Sequence, residues 1–280
     1  MADPVPAPVV DIEDWSEFVK YANDVSGVGR PTDVAHIFRG HSNHLWRLLP
    51  SFSRAMISAS VAAQRALEIE ERGLSIFQRQ AHLHIDDDFM RDEDTPLTWW
   101  TLMQHHRAPT RILDWTKSPY VAGYFAVQAS LDAAGAETPG MVWVAHVRTI
   151  RDYCRARYGR SGISEGDFVG RATQHDAEPV LYVVRRPRES ERMVAQQGVF
   201  SVSEQILADH GQVISDAMAW AGHDNDEPQF FGIRIAPQLK TDFLRRLRTM
   251  NVTAASLFPG VDGLGMAVAE AMRLEANYTS

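Results

Sequence analysis

The sequence predicts an α+β fold, with a helical N-terminal half followed by a mixed or antiparallel sheet. Apolar residues recur at helical spacing through much of the first half of the 280-residue chain, whereas runs of β-branched and aromatic residues gather in the second half. The strands of the second half are separated too irregularly for a βαβ repeat. With 45% apolar and 23% charged residues, the composition is that of a globular protein with a substantial core.

The first half predicts four helices and one short strand. After a proline-rich leader, residues 11–24 place Trp15 and Phe18 on one helical face. VAHIFRGHS at 34–42 predicts a strand, and Pro50 breaks the turn that follows it.

A long helix is expected from Ser58 to Asp87, because its apolar residues keep a period close to 3.6. A third helix is expected over 98–106, and a fourth begins at Pro119, a residue suited to a first helical turn. The segment between these two helices is predicted to be a loop.

The second half predicts four strands and two closing helices. The strands are expected in 140–148, 179–187, 196–203 and 230–236. An amphipathic helix is expected over 239–252, and a turn with a short helix over 256–272. Residues 1–30 are predicted to form a leader with the first helix, and residues 31–275 a single domain.

Charge and cysteine content narrow the functional classes. The net charge of −8 argues against a protein that coats nucleic acid by bulk charge, and the single Cys154 excludes an internal disulfide framework, as expected in a reducing cytosol. No apolar window is long enough to span a membrane. We therefore expect a cytoplasmic protein without a membrane partner.

The common phosphate-loop, dinucleotide, zinc-protease and serine-hydrolase motifs are absent from the sequence. HLHIDDD at 82–88 predicts a solvated helix end, because His82 and His84 would point about 200° apart on a helix. We expect no metal site.

MQHHRAPTRILDWTKSPYVAGYFAV at 103–127 combines adjacent histidines, arginines, an aspartate and a tryptophan. Buried charges are costly unless they are paired, and a surface loop has no need of the tryptophan. This mixture predicts a functional site.

Two segments, IFRGHSNHLWRLLPSFSR at 37–54 and LMQHHRAPTRILDWTKSPYVAGYFAV at 102–127, resemble the FRG domain family, named for its Phe-Arg-Gly motif. RMVAQQGVFSV at 192–202 and SLFPGVDGL at 256–264 are similar to later motifs of that family. The resemblance implies a bacterial or phage-borne protein from a toxin or phage-defence system, with an antitoxin or defence-system protein as a possible partner.

A weaker resemblance concerns the order of motifs. An aromatic-Arg-Gly strand, then a serine before a helix, then a strand with a glutamine pair is similar to the Arg-Ser-Glu type of ADP-ribosyltransferase, with NAD as co-substrate. The catalytic residues that this implies are Arg39, His105, Asp114, Gln197 and Glu204. The residues implied for NAD binding are Arg39, Gly40, Gln104, Thr110, Arg111, Trp115 and Ser118.

Several of these roles have structural alternatives. Arg39 suits a pyrophosphate, because guanidinium binds phosphate bidentately, but it equally suits an ion pair with Asp114. Ser118 is more commonly a helix cap. Gln196 and Gln197 stand where the transferase pattern has a glutamate, so the acid is Glu204 or Asp114, or the site binds without turnover.

The acceptor is expected to be nucleic acid or protein. Arginine clusters at 151–162, 185–192 and 244–250 can bind phosphates, although each also suits a solvated face. Two other functions remain open: a nuclease that uses His105, Arg111 and Asp114, and a non-enzymatic sensor of a nucleotide or phage component.

Overall fold

A computed structural model describes residues 7–26, 36–81, 83–84, 95–160, 165–184, 190–222 and 230–276. The strands are β1 (Val9–Asp11), β2 (His36–His41), β3 (Ile112–Thr116), β4 (Gly140–His146), β5 (Leu181–Val184), β6 (Gly198–Ser203) and β7 (Phe230–Ile235). The helices are α1 (Trp15–Ser26), α2 (Ser51–Ser58), α3 (Ala63–Ala81), α4 (Pro96–His105), α5 (Pro119–Ala126), α6 (Val147–Tyr158), α7 (Glu165–Ala172), α8 (Glu191–Ala195), α9 (His210–Ala221), α10 (Lys240–Thr249), α11 (Ala254–Leu257) and α12 (Val261–Ala276). A short 3-10 helix, Pro237–Leu239, precedes α10.

One seven-stranded mixed sheet organises the fold, in the order β1-β7-β4-β2-β3-β6-β5. Only the edge pair β1–β7 is parallel among the pairs in this sheet. The predicted combination of helices with a mixed sheet is confirmed. Three of the strands come from the first half of the chain, so strands and helices are more interleaved than expected.

The sheet divides between β2 and β3. β2 pairs with β4 along its whole length, and β3 does the same with β6. Between β2 and β3, which are both fully described, Phe38 and Thr116 form the one register pair. The two strands therefore separate beyond Phe38, and a cleft opens between the halves of the sheet.

Alternation along the central strands creates a core on each face of the sheet. On β4, Trp143 belongs to one apolar cluster, whereas Val142 and Val144 belong to the other. The second cluster includes the fully buried Phe18 of α1, whose ring contacts Phe243 of α10. The described part of the first 30 residues thus packs on the sheet.

Helix α5 lies directly against β2 because Gly40 has no side chain. A Cβ at Gly40 would lie 1.9 Å from the carbonyl oxygen of Ala122, so the backbones could not approach this closely. The same helix meets Gly140 of β4, where a Cβ would lie 2.1 Å from the carbonyl oxygen of Ala126. These two glycines fix the position of α5 beside the cleft.

The structure differs from the sequence prediction in several places. The predicted loop before Pro119 contains β3, a central strand. The turn at Pro50 leads into α2, and the basic segment from residue 151 lies mainly in α6. Helix α9 was not predicted. Helix α3 ends at Ala81, and the rest of its predicted length lies mostly outside the described residues.

None of the described helices combines the length and apolar character needed to cross a membrane.

Candidate functional site

The cleft between β2 and β3 is a cavity of about 200 Å³. The sequence-predicted residues that line it are Arg39, Gly40, Gln104, His105, Asp114 and Trp115. They come from β2, from the end of α4 and from β3. The structure thus brings together residues that two separate sequence motifs supply.

Arg39 connects the two halves of the sheet across the cleft. Its Nε donates a hydrogen bond to Nε2 of His41 at 2.9 Å, and its Nη1 donates to the backbone carbonyl of Asp114. Burial lowers the pKa of Arg39 and the Asp114 carboxylate opposes this effect, but a guanidinium stays charged in proteins. Within the described residues these are its hydrogen bonds, so its remaining N–H groups are available to an anionic ligand.

His41 holds Arg39 as a neutral acceptor. Burial and the charge of Arg39 keep the pKa of His41 well below its usual 6.5. Its Nδ1 lies 3.2 Å from the carbonyl oxygen of Trp46. Since Nε2 must accept from Arg39, the proton resides on Nδ1 and is donated to Trp46. His41 was not among the residues predicted from the sequence, although it follows the Phe-Arg-Gly motif directly.

A hydrogen-bonded chain orients the Asp114 carboxylate. Gln104 Nε2 donates to Oδ2 of Asp114 at 2.8 Å, and Gln104 Oε1 accepts from the hydroxyl of Thr110. Because the Thr110 hydroxyl donates, the Gln104 amide must present its NH₂ group to Asp114. Thr110 is buried outside the cavity lining, so its role is to position Gln104.

Arg192 and Gln196 also line the cavity. Arg192 of α8 lies with its guanidinium carbon 4.8 Å from the centre of the Phe258 ring. Burial lowers the pKa of Arg192, and the Asp114 carboxylate opposes the shift. Both residues lie in the RMVAQQGVF motif, which was the sequence signal that could have found them.

Two hydrogen bonds fix Gln196. Its side-chain Nε2 donates to the carbonyl of Leu257 at 3.0 Å, and its own carbonyl accepts from Thr116 Oγ1 at 2.7 Å. The neighbouring Gln197, which the sequence suggested as catalytic, is exposed and does not line the cavity. Its φ of +49° is left-handed.

Trp115 is part of the floor of the cleft. It is 3% exposed, and its indole Nε1 donates to Ser201 Oγ at 2.8 Å. Ser201 Oγ lies 2.8 Å from Nδ1 of His210, whose pKa burial and Arg39 lower to about 3. His210 is therefore neutral and accepts the Ser201 proton. A residue fixed in this way cannot swing out to stack on a base.

Arg111 lies outside the cavity, in a buried ion pair. It is 2% exposed, and it binds both carboxylate oxygens of Glu70 through Nε and Nη2. Its guanidinium also stacks 4.7 Å from the centre of the Trp100 ring. The structure does not bring Arg111 to Asp114.

Glu204 and Ser118 also lie outside the cavity lining. Glu204 is 2% exposed and follows the far end of β6, where it accepts hydrogen bonds from Arg171 and from the hydroxyl of Tyr182. Ser118 is the N-cap of α5, and its hydroxyl accepts from the backbone N–H of Val121 at 3.3 Å. Asp114 is consequently the one carboxylate among the described residues that line the cavity.

His105 is half-buried at the end of α4 and lines the cavity, with its ring centre 5.0 Å from that of His106. Among the described residues, no group of three or more His, Cys, Asp or Glu side chains is arranged to hold a metal ion.

Comparison with known proteins gives one family. Residues 34–134 match the model of the FRG domain. No curated protein and no solved structure matches the chain. The matched segment contains every sequence-predicted residue that lines the cleft, whereas Arg192 and Gln196 lie beyond it. The chain thus contains an FRG domain at residues 34–134, and that domain supplies Arg39, Gln104, His105 and Asp114 to the cleft.

Proposed function

We propose that the protein is an NAD-dependent ADP-ribosyltransferase that modifies nucleic acid or protein, in a cytoplasmic bacterial toxin or phage-defence setting. One observation carries the proposal: two arginines and one carboxylate converge in a cleft that opens between the halves of the sheet. This combination supplies positive charge for a pyrophosphate and negative charge for a cationic transition state.

The size of the cavity favours one end of a dinucleotide. At about 200 Å³ it is smaller than the roughly 300–1,000 Å³ typical of sites that enclose a drug-sized ligand. Phe38, Phe125 and Phe200 line it and provide apolar surface for a flat ring. The nicotinamide ribose is expected to enter, while the rest of NAD extends out past Arg39 and Arg192.

Asp114 is the carboxylate proposed to act on the reacting ribose. In the transfer, the bond between C1′ and the nicotinamide nitrogen breaks, and nicotinamide leaves with the bonding electrons. The positive charge that develops on the ribose is stabilised by a carboxylate that Gln104 already orients. The acceptor then forms a bond to C1′, and His105 is the proposed recipient of its proton.

A non-enzymatic binding module is the second candidate. The observation that favours it is the presence of Gln196, an amide, where the transferase pattern has a glutamate. The nuclease alternative gains no such support, since Arg111 is bound to Glu70 and does not line the cavity.

The test follows nicotinamide release and label transfer from labelled NAD, alone and with single-stranded RNA, single-stranded DNA or cell lysate. Asp114→Asn is expected to slow transfer by about 100-fold or more, because it removes the charge and keeps the shape. Gln196→Ala is expected to slow it by about tenfold.

Gln197→Asn provides the matched control, since it changes the adjacent glutamine outside the cavity and asparagine tolerates a left-handed φ. Its rate should stay within about twofold of the original. Intact NAD in every reaction would refute the transferase. NAD that binds without turnover, with binding lost in Arg192→Gln, would establish the binding module.

A further inference from the structure

One face of helix α12 is fixed to the body of the protein. Glu270 accepts a hydrogen bond from the hydroxyl of the buried Tyr124, and Arg273 donates to the carbonyl of Val127 at 3.2 Å and to Glu137 at 2.8 Å. A Cβ at Gly263 would lie 1.8 Å from the carbonyl oxygen of Phe258, so the start of the helix is also closely packed. These contacts determine which side of α12 faces solvent.

The solvent side of α12 is apolar. Val261, Leu264, Val268 and Met272 are exposed by 83, 61, 47 and 68%, respectively. Their spacing of three, four and four residues places them in one row, about 16 Å long, which we call the α12 seam. A continuous row of exposed apolar side chains is typical of an interaction site, so the seam is expected to be covered by a partner.

Small residues beside the α12 seam favour a helical partner. Gly265 and Ala269 are both exposed, and a Cβ at Gly265 would meet nothing within 4 Å. The backbone of another helix can therefore approach closely between the larger side chains, which fit into its grooves.

The charges at the two ends of the seam select the partner. Asp262 and Glu275 are exposed, lie about 20 Å apart along the helix and are both acidic. A second copy of the chain would bring acidic groups together whether the helices ran parallel or antiparallel, and its net charge of −8 would add repulsion. Basic side chains at matching positions would be attracted instead.

We propose that the α12 seam is the docking surface for an amphipathic helix of another protein, whose aliphatic row is flanked at both ends by Lys or Arg. This surface is separate from the cleft, and the proposal does not depend on NAD chemistry. It nevertheless lies near the site, because Leu257 and Phe258, just before α12, contact Gln196 and Arg192.

The test uses two synthetic helical peptides of about five turns, long enough to form a helix on binding. Both carry the same leucine row, which is flanked by lysines in one peptide and by glutamates in the other. Fluorescence anisotropy with the full chain is expected to show the lysine peptide bound at least about tenfold more tightly. The difference should largely disappear in Asp262→Asn/Glu275→Gln.

The double variant Leu264→Ser/Met272→Ser is expected to weaken the lysine peptide by at least about tenfold, because truncating central apolar contacts removes most of the binding energy. Leu131→Ser is the matched control, since Leu131 is 65% exposed outside the seam, and it should bind normally.

Three results would overturn the proposal. They are equal affinity for both peptides, including no binding of either; lysine-peptide binding that survives Leu264→Ser/Met272→Ser; and a dimer of the original chain, seen by analytical ultracentrifugation, that this double variant dissociates.

Discussion

The buried pair of Arg111 and Glu70 is expected to support the fold and not the chemistry of the cleft. Their side chains are 2% and 8% exposed, and Arg111 Nε donates to Glu70 Oε1 at 2.8 Å. Replacing Arg111 by Met would leave the Glu70 carboxylate buried without its partner, which typically costs about 3–5 kcal/mol. That is a third or more of the stability of many domains, about 5–15 kcal/mol in total.

A double-mutant cycle measures how much of this cost belongs to the pair. Arg111→Met and Glu70→Leu each leave one buried charge, whereas the double variant leaves none. Arg111 Nη1 also donates to the carbonyl of Ala172 at 2.9 Å, so the double variant should stay somewhat below the original stability. We expect its loss to be smaller than the sum of the single losses by about 2–3 kcal/mol.

The assay is urea unfolding followed by tryptophan fluorescence, with activity compared at equal folded fraction. Arg246→Met is the control, because Arg246 and Asp242 form an ion pair of the same kind with side chains that are 52% and 50% exposed. It should cost less than about 0.5 kcal/mol. Additive losses in the cycle, or an Arg111→Met protein of normal stability that has lost its activity, would refute the structural assignment.

Four residues provide three further tests. Gly40→Ala is expected to lower the free energy of unfolding by about 3 kcal/mol or to prevent folding, because α5 must move away. Gly73→Ala, in the open middle of α3, should raise it by about 0.5–1 kcal/mol. Thermal unfolding that ranks the two variants in the opposite order would contradict the packing. As pH falls from 6.5 to about 3, the imidazole of His210 becomes protonated in the unfolded chain but not in the folded protein, so the free energy of unfolding decreases. His210→Asn should reduce the slope of this free energy against pH by up to about 1.4 kcal/mol per pH unit. An unchanged slope would argue against a neutral buried imidazole. His41→Phe removes the acceptor that orients Arg39, so NAD binding measured by calorimetry is expected to be about tenfold weaker. Unaltered binding would show that Arg39 is positioned without His41.

The sequence predicted the strands and helices whose apolar pattern is regular, but not β3. Of its five residues, Ile112–Thr116, only Asp114 is exposed, because it lines the cleft. The regular alternation of apolar and polar residues that marks a half-buried strand is therefore missing. The polar residues that mark the site therefore hide the strand that carries them. The very short β1 was missed because three residues at a sheet edge have too little pattern to recognise.

The motif order implied Arg39, Gln104, His105 and Asp114 as site residues, and the structure brings these four together in one cleft. It could not distinguish Gln196 from Gln197, since a left-handed φ at one residue decides which side chain faces the cavity. The position of Glu204 depends on Arg171 and Tyr182, which are distant in sequence. Contacts of this kind leave no local pattern.

The division of the sheet has a consequence for the order in which the site forms during synthesis. β2 and β3 pair with each other at a single position, and Arg192 and Gln196 come just before β6 in the sequence. Since β3 is held along its length by β6, a nascent chain that has not yet exposed residue 203 lacks the support of β3, even though it can already contain Arg192. Ribosome-bound fragments that end before β6 are thus expected to lack a formed cleft, whatever ligand the cleft binds.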